Sequence, residues 1–189
     1  MKLLQRSLVA RIIASLLAIS GMALISVTLT MAMSNSSRGD AAAINVAGSL
    51  RMTVYQMMWA LQRLEYAPDE ASEEQLASLV ASFDQRLNGT TLQLTIPADD
   101  SHESRTQLEK LQTYWQHTLR PALETPSSAT ALDLDTLETM IVAMVNDIEV
   151  LVTNLEQRSE SKVRLLGMMQ VLFLVPVSYT HLRAHETGR

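Results

Sequence analysis

The chain has no cysteine. Disulfides, thiolate metal sites and cysteine nucleophiles are therefore excluded, and stability has to come from packing. Also missing are a glycine-rich phosphate loop, a nucleophile paired with a base, and a metal-ligand cluster, so the sequence offers no catalytic residue and no metal site of its own. Basic charge is scarce where the chain is polar. From Ser34 to Lys162 there are 19 Asp and Glu against 9 Lys and Arg, hence −10 net, which makes nucleic acid and anionic lipid poor partners. His181 and His185 stand at i, i+4 spacing with no suitable third ligand nearby, and His102 and His117 stand alone as surface residues. Methionine is plentiful, with 11 residues. Most fall in spans or at heptad positions and read as packing rather than as copper ligands. Trp59 and Trp115 likewise read as bundle residues.

What is present begins with an uncharged run from Ile12 to Met33. At 1.5 Å of rise per residue it is long enough to cross the ~30 Å of hydrocarbon in a bilayer. Signal-peptide cores are usually shorter, about 7 to 15 residues, which favours a retained anchor over a cleaved signal. Lys2, Arg6 and Arg11 precede the run, so residues 1–11 are expected in the cytoplasm and the chain after Met33 outside it, in the periplasm of a bacterium. Residues 12–33 are then a first transmembrane helix in the inner membrane. Residues 34–162 suffice for one modest domain.

The periodicity of that domain is helical. Ala43, Ala47, Leu50, Val54, Met57, Leu61 and Leu64 alternate steps of four and three, a heptad seam, on a first helix from about Asp40 to Tyr66. Pro68 breaks it. Ser72 with Gln75 resembles a capping box opening a second helix that ends near Asn88 and Gly89. Thr90 to Pro97 reads as a β-rich connector, and Asp100 with Glu103 as the next helix start, buried through Leu108, Leu111, Trp115 and Leu119. Pro121 and the cluster Pro126, Ser127 and Ser128 mark another turn, before a fourth helix with Leu137, Ile141, Met144, Ile148, Leu151 and Leu155 in register. The fold expected is all-α: a membrane-anchored antiparallel four-helix bundle whose first and last helices are continuous with transmembrane helices.

After Lys162 and Arg164 a second apolar run extends from Leu165 to Val177. It is too short to span and contains Gln170, so residues 163–177 read as the start of a truncated second transmembrane helix. Residues 178–189 are a polar tail without apolar periodicity, resembling translated adapter sequence rather than native chain. A longer parent protein is expected.

One segment stands apart. Gly48 inside a helix costs about 1 kcal/mol relative to Ala, so close helix approach or backbone access for a ligand would give it a use. Ile44, Gly48, Arg51 and Tyr55 form a stripe rotated ~100° from the heptad seam and left free for a partner. If two copies meet across a two-fold axis, Gly48 admits the backbones and two Arg51 guanidiniums converge. A planar anion could be clamped there by parallel N–H···O bonds. Without it the arginines would repel, which suggests a shift of the first helices on binding. On spacing alone, a packing glycine beside a surface arginine satisfied by an acid is an equal reading.

The segment Ile44-Asn-Val-Ala-Gly-Ser-Leu-Arg-Met52, with Tyr55 beyond it, resembles the signature box of the NarX/NarQ-type nitrate/nitrite sensor histidine kinases. A related box occurs in sensor domains of pilus-type methyl-accepting chemotaxis proteins. The resemblance implies a homodimeric periplasmic sensor of a two-component system, with nitrate or nitrite held at the dimer axis by Arg51 and the backbone at Gly48. Asn45, Ser49, Met52 and Tyr55 would support that site. Val46 stands where one branch has lysine, and Thr53-Val54 replaces a more polar pair. The resemblance also implies that ATP, Mg and a response-regulator partner belong to a kinase region missing from this chain. Two alternatives stay open: a sensor on a chemotaxis transducer, and a structural membrane-anchored bundle without ligand.

Overall fold

The computed structural model describes residues 2–66, 68–96, 103–124 and 134–186. Helix α1 is a single unbroken helix, Lys2–Tyr66. It is followed by α2 (Glu70–Leu87), a short α3 (Thr90–Thr95), α4 (Glu103–Tyr114), a π-helical turn (Trp115–Leu119), α5 (Arg120–Glu124) and α6 (Leu134–Glu186). The chain divides into two compact units. One comprises Gly39–Ser159, and the other joins Met1–Arg38 with Glu160–Arg189.

The first unit is the four-helix bundle. Its long members are the distal half of α1, α2, the rod made by α4, the π turn and α5, and the first half of α6. The α1 seam packs as its spacing predicts: Ala43, Ala47, Leu50, Val54, Met57 and Leu61 are all buried, and Leu64 is partly so. The predicted stripes of α4 and α6 are buried throughout as well. At the centre Phe83 meets Trp115 with ring centroids 4.3 Å apart and planes tilted by 46°, a geometry that aromatic quadrupoles favour. Polar bonds tie the rods together. Arg86 donates to Thr53 Oγ1 at 3.1 Å, Gln107 to the Asp147 carbonyl at 2.7 Å, and Tyr114 to the Met140 carbonyl at 3.3 Å. Burial, with Asp147 nearby, raises the Tyr114 pKa and keeps the phenol a donor.

Three local expectations are corrected. The cap of α2 is Asp69 rather than Ser72: its extended backbone lets the carboxylate accept from the Ser72 amide at 2.7 Å. The Ser72 hydroxyl is buried and has no hydrogen-bond partner among the described residues. Thr90 to Thr95 is helical because Leu92 and Ile96, at i, i+4 spacing, both drop into the core and override β-propensity. Pro121 does not end its helix. The π turn before it, closed by the Arg120 amide on the Trp115 carbonyl, widens the ladder where the proline ring would otherwise clash. Trp59 lies outside the core, 71% exposed. Asp100 and the Pro126 cluster lie outside the described residues.

In the second unit, Ile13, Leu16, Leu17, Leu24, Ile25, Val27 and Met31 of α1 are exposed, and Lys162 donates to Ser36 Oγ at 3.1 Å. Helix α1 is the one described helix long and apolar enough to cross a membrane, and its apolar window is unburied. That fits an anchor or a signal sequence. The expectation that the last helix also continues into a membrane span is not met. Helix α6 is 53 residues long, but its apolar run from Leu165 is broken by Gln170 and gives way at Ser178 to polar residues, so it does not qualify by length and composition.

Two predictions follow from this packing. Ile148→Ala, at a site 1% or less exposed, lowers stability by about 2–5 kcal/mol in urea denaturation, whereas Val142→Ala on the exposed side of α6 stays within about 0.5 kcal/mol. The Asp69 carboxylate pKa is lowered, first by its side-chain hydrogen bond with Ser72, next by the backbone bond, and further by Arg63. A depressed carboxylate stabilises fully above its unfolded pKa and loses that contribution as pH falls through the folded value. Asp69→Asn, which caps without charge, therefore loses less stability than the native chain on acidification below the ordinary carboxylate range.

Candidate functional site

The signature residues occupy two turns of α1 between the core seam and solvent. Ile44 and Val46 pack partly against the core. Asn45 is exposed, and Ser49 donates to the Val46 carbonyl at 2.7 Å, while Thr53 donates to the Ser49 carbonyl at 2.9 Å. These hydroxyls are thus engaged with their own helix. Gly48 is half-buried, yet a Cβ built on it meets nothing within 4 Å. The glycine is not required by packing inside the bundle. Its small profile faces open space.

Beside it the helix presents an apolar surface. Met52 is 61% exposed, and Tyr55, Trp59 and Tyr66 are exposed as well. With Gly48 they repeat at steps of four, three, four and seven on one side of α1, so the helix has a second apolar seam roughly opposite the first. Arg51 borders this seam. Its guanidinium is not a bare cation: Nη1 pairs with Glu149 Oε2 on α6. The two side chains remain 45% and 53% exposed. Solvent screens such a pair, and its contribution to stability is on the order of 0.2–1 kcal/mol.

The structure therefore brings Gly48, Arg51, Met52 and Tyr55 to one surface, leaves Asn45 at its border and turns Ser49 onto the backbone. Glu149 was not legible from the sequence, since the partners are 98 positions apart and Glu149 has the same exposed character as many acids on this chain. Arg51 thus has a carboxylate partner within its own chain. Among the described residues no group of three His, Cys, Asp or Glu could hold a metal ion. His117 is exposed; His102 and the side chains of His181 and His185 lie outside the described residues.

The weakness of the ion pair is testable. In a double-mutant cycle with Arg51→Ala and Glu149→Ala, urea denaturation gives a coupling no larger than about 1 kcal/mol, and each single variant keeps the helical circular dichroism of the native chain.

Residues 32–137 match the profile of the family described as the N-terminal region of type IV pili methyl-accepting chemotaxis transducers, PilJ. No curated protein matches the chain. The profile covers more than half of the sequence, whereas the kinase resemblance rested on a short box that both kinds of sensor share. The family match thus overturns the nitrate/nitrite, histidine-kinase and two-component assignment and supports a helical sensor domain of the chemotaxis type.

Proposed function

Since the chain belongs to the PilJ family of type IV pili methyl-accepting chemotaxis transducer N-terminal regions, we propose that it is the sensory input of a chemotaxis-type transducer. In this reading the bundle stands on the periplasmic side of the bacterial inner membrane, anchored by α1, and works as a homodimer. A small anion is sensed at Arg51. The observation that carries the reading is the coincidence on α1 of an exposed apolar seam, a glycine facing open space and a half-exposed arginine.

Two copies that meet along this seam bury Met52, Tyr55 and Trp59, whose exposure otherwise costs roughly 25 cal/mol per Å² of apolar surface. Gly48 sets how closely the two α1 backbones approach. The two Arg51 side chains then border the axis, with Asn45 beside them and Tyr55 one turn further on. An anion at the axis competes with the Glu149 carboxylate for the guanidinium. Because that carboxylate belongs to α6, the exchange changes how α1 is held against α6 and not only the repulsion across the axis. A weak, solvated pair suits this role, since an anion can replace it at little cost.

The absence of cysteine makes the dimer directly testable. Single cysteines at Tyr55 or Trp59 in the full chain in membranes cross-link rapidly under mild oxidation, while Ser78→Cys, exposed on α2, stays largely monomeric. Gly48→Leu lowers the cross-linking at Trp59→Cys several-fold without unfolding the bundle, because a Cβ at that position meets nothing within 4 Å in one copy of the chain and so points into open space. Equal cross-linking at positions 55, 59 and 78 would reject the α1 interface.

A further inference from the structure

A second site lies well away from Arg51 along the bundle, where α2 faces α5 and the end of α1. A cleft of about 500 Å³ opens there, within the range of small-molecule sites. Its floor is apolar, made by Leu64, Leu76, Val80 and Leu123, of which the last three are buried. The cleft exists because α2 presents Ala77 and Ala81 toward it, one turn apart, where larger residues would close the gap. The π turn before Arg120 also displaces α5 from the register an uninterrupted helix would give it.

The rim is charged and unbalanced. Glu73, Asp84 and Glu124 face a single cation, Arg120. That cation is already committed. It donates to Glu124 Oε1 at 2.8 Å and to Asp84 Oδ1 at 3.2 Å. Its pKa is raised chiefly by the Glu124 hydrogen bond, then by the charges of Glu124 and Asp84. On Asp84, all the described side-chain donors converge on one oxygen: Trp115 Nε1 at 2.9 Å, Arg120 at 3.2 Å and Asn88 at 3.3 Å all reach Oδ1. Oδ2 receives no donor among the described residues. Neither does Glu73 have an ion-pair partner among them. An anion would find the guanidinium occupied and three carboxylates around it, whereas a cation would find acceptor oxygens in surplus.

We propose that this cleft binds an organic cation, a primary ammonium on a compact apolar body, with the body on the Leu76, Val80 and Leu123 floor and the ammonium between Glu73 and Asp84. Trp115 and Arg120 hold the Asp84 carboxylate in place for it. The site uses none of the residues around Arg51. It therefore gives the domain a second input whose chemistry is opposite in sign to that of the first.

The test is calorimetric titration of the full chain in zwitterionic lipid nanodiscs with 2-phenylethylammonium. Uncharged 2-phenylethanol and anionic 3-phenylpropionate serve as controls for the apolar body and for charge. The expected result is saturable binding of the amine, at least tenfold weaker binding of the alcohol and none of the acid. Glu73→Gln weakens the amine about fivefold, and Ala81→Leu, which fills the cleft from an exposed helix position, abolishes it with circular dichroism unchanged. No saturable amine binding by the folded native chain would overturn the proposal. So would equal affinity for amine and alcohol, or amine binding unaffected by Ala81→Leu in a folded variant.

Discussion

The structure depends on the two-sidedness of α1. A single helix of 65 residues carries one apolar seam into the bundle core and a second to its outside, and the two have different consequences. The inner seam is satisfied: its residues from Ala43 to Leu61 are buried in the core of the bundle. The outer seam, through Met52, Tyr55 and Trp59, is left in water by a single copy of the chain. Hydrophobic burial is non-directional, so nothing in its physics distinguishes the seams. What distinguishes them is that the helices of one chain close around only one of the two.

Electrostatics refines this division without governing it. The Arg51–Glu149 pair sits at the border between the seams, half-exposed and weak, and couples α1 to α6 within one bundle. A strong, buried pair there would fix the helices but could not be exchanged for a ligand, because separating buried charges is costly. At the cleft near α5 the balance differs. One arginine is enclosed by carboxylates and bonded to two of them, so the surplus is negative. Arg51 thus meets one carboxylate and Arg120 two, in a domain that is acidic as a whole.

Much of the fold was legible in the sequence, and the reason is periodicity. The seams of α1, α4 and α6 follow from apolar spacing, since burial on one face of a helix is the strongest local signal that packing leaves in a sequence. Failures cluster where a tertiary contact decides a local choice. Leu92 and Ile96 make a helix of a segment whose composition favours a strand. Asp69 displaces Ser72 as a cap because its own backbone is extended, and Pro121 is tolerated because the chain inserts a wider turn before it. Trp59 and Trp115 both belong to the bundle, but only Trp115 is in its core, because the register of Trp59 places it on the outer seam. The candidate site was legible in part: Gly48 and Arg51 stand out locally, but Glu149 and the Asp84–Arg120 cluster are products of long-range packing. The ligand class was read from a short box shared by two kinds of sensor, and only the longer family match separated them.

The central claim is that the outer seam of α1 is an interface between two copies of this chain. It is tested most directly by pulsed electron paramagnetic resonance on the full chain in nanodiscs, with one spin label per chain at position 55. Paired α1 helices, with axes about 8–10 Å apart, give a single short inter-label distance that broadens and weakens when Gly48 is replaced by leucine. A dipolar signal that is absent, or that Gly48→Leu leaves unchanged, would contradict the account.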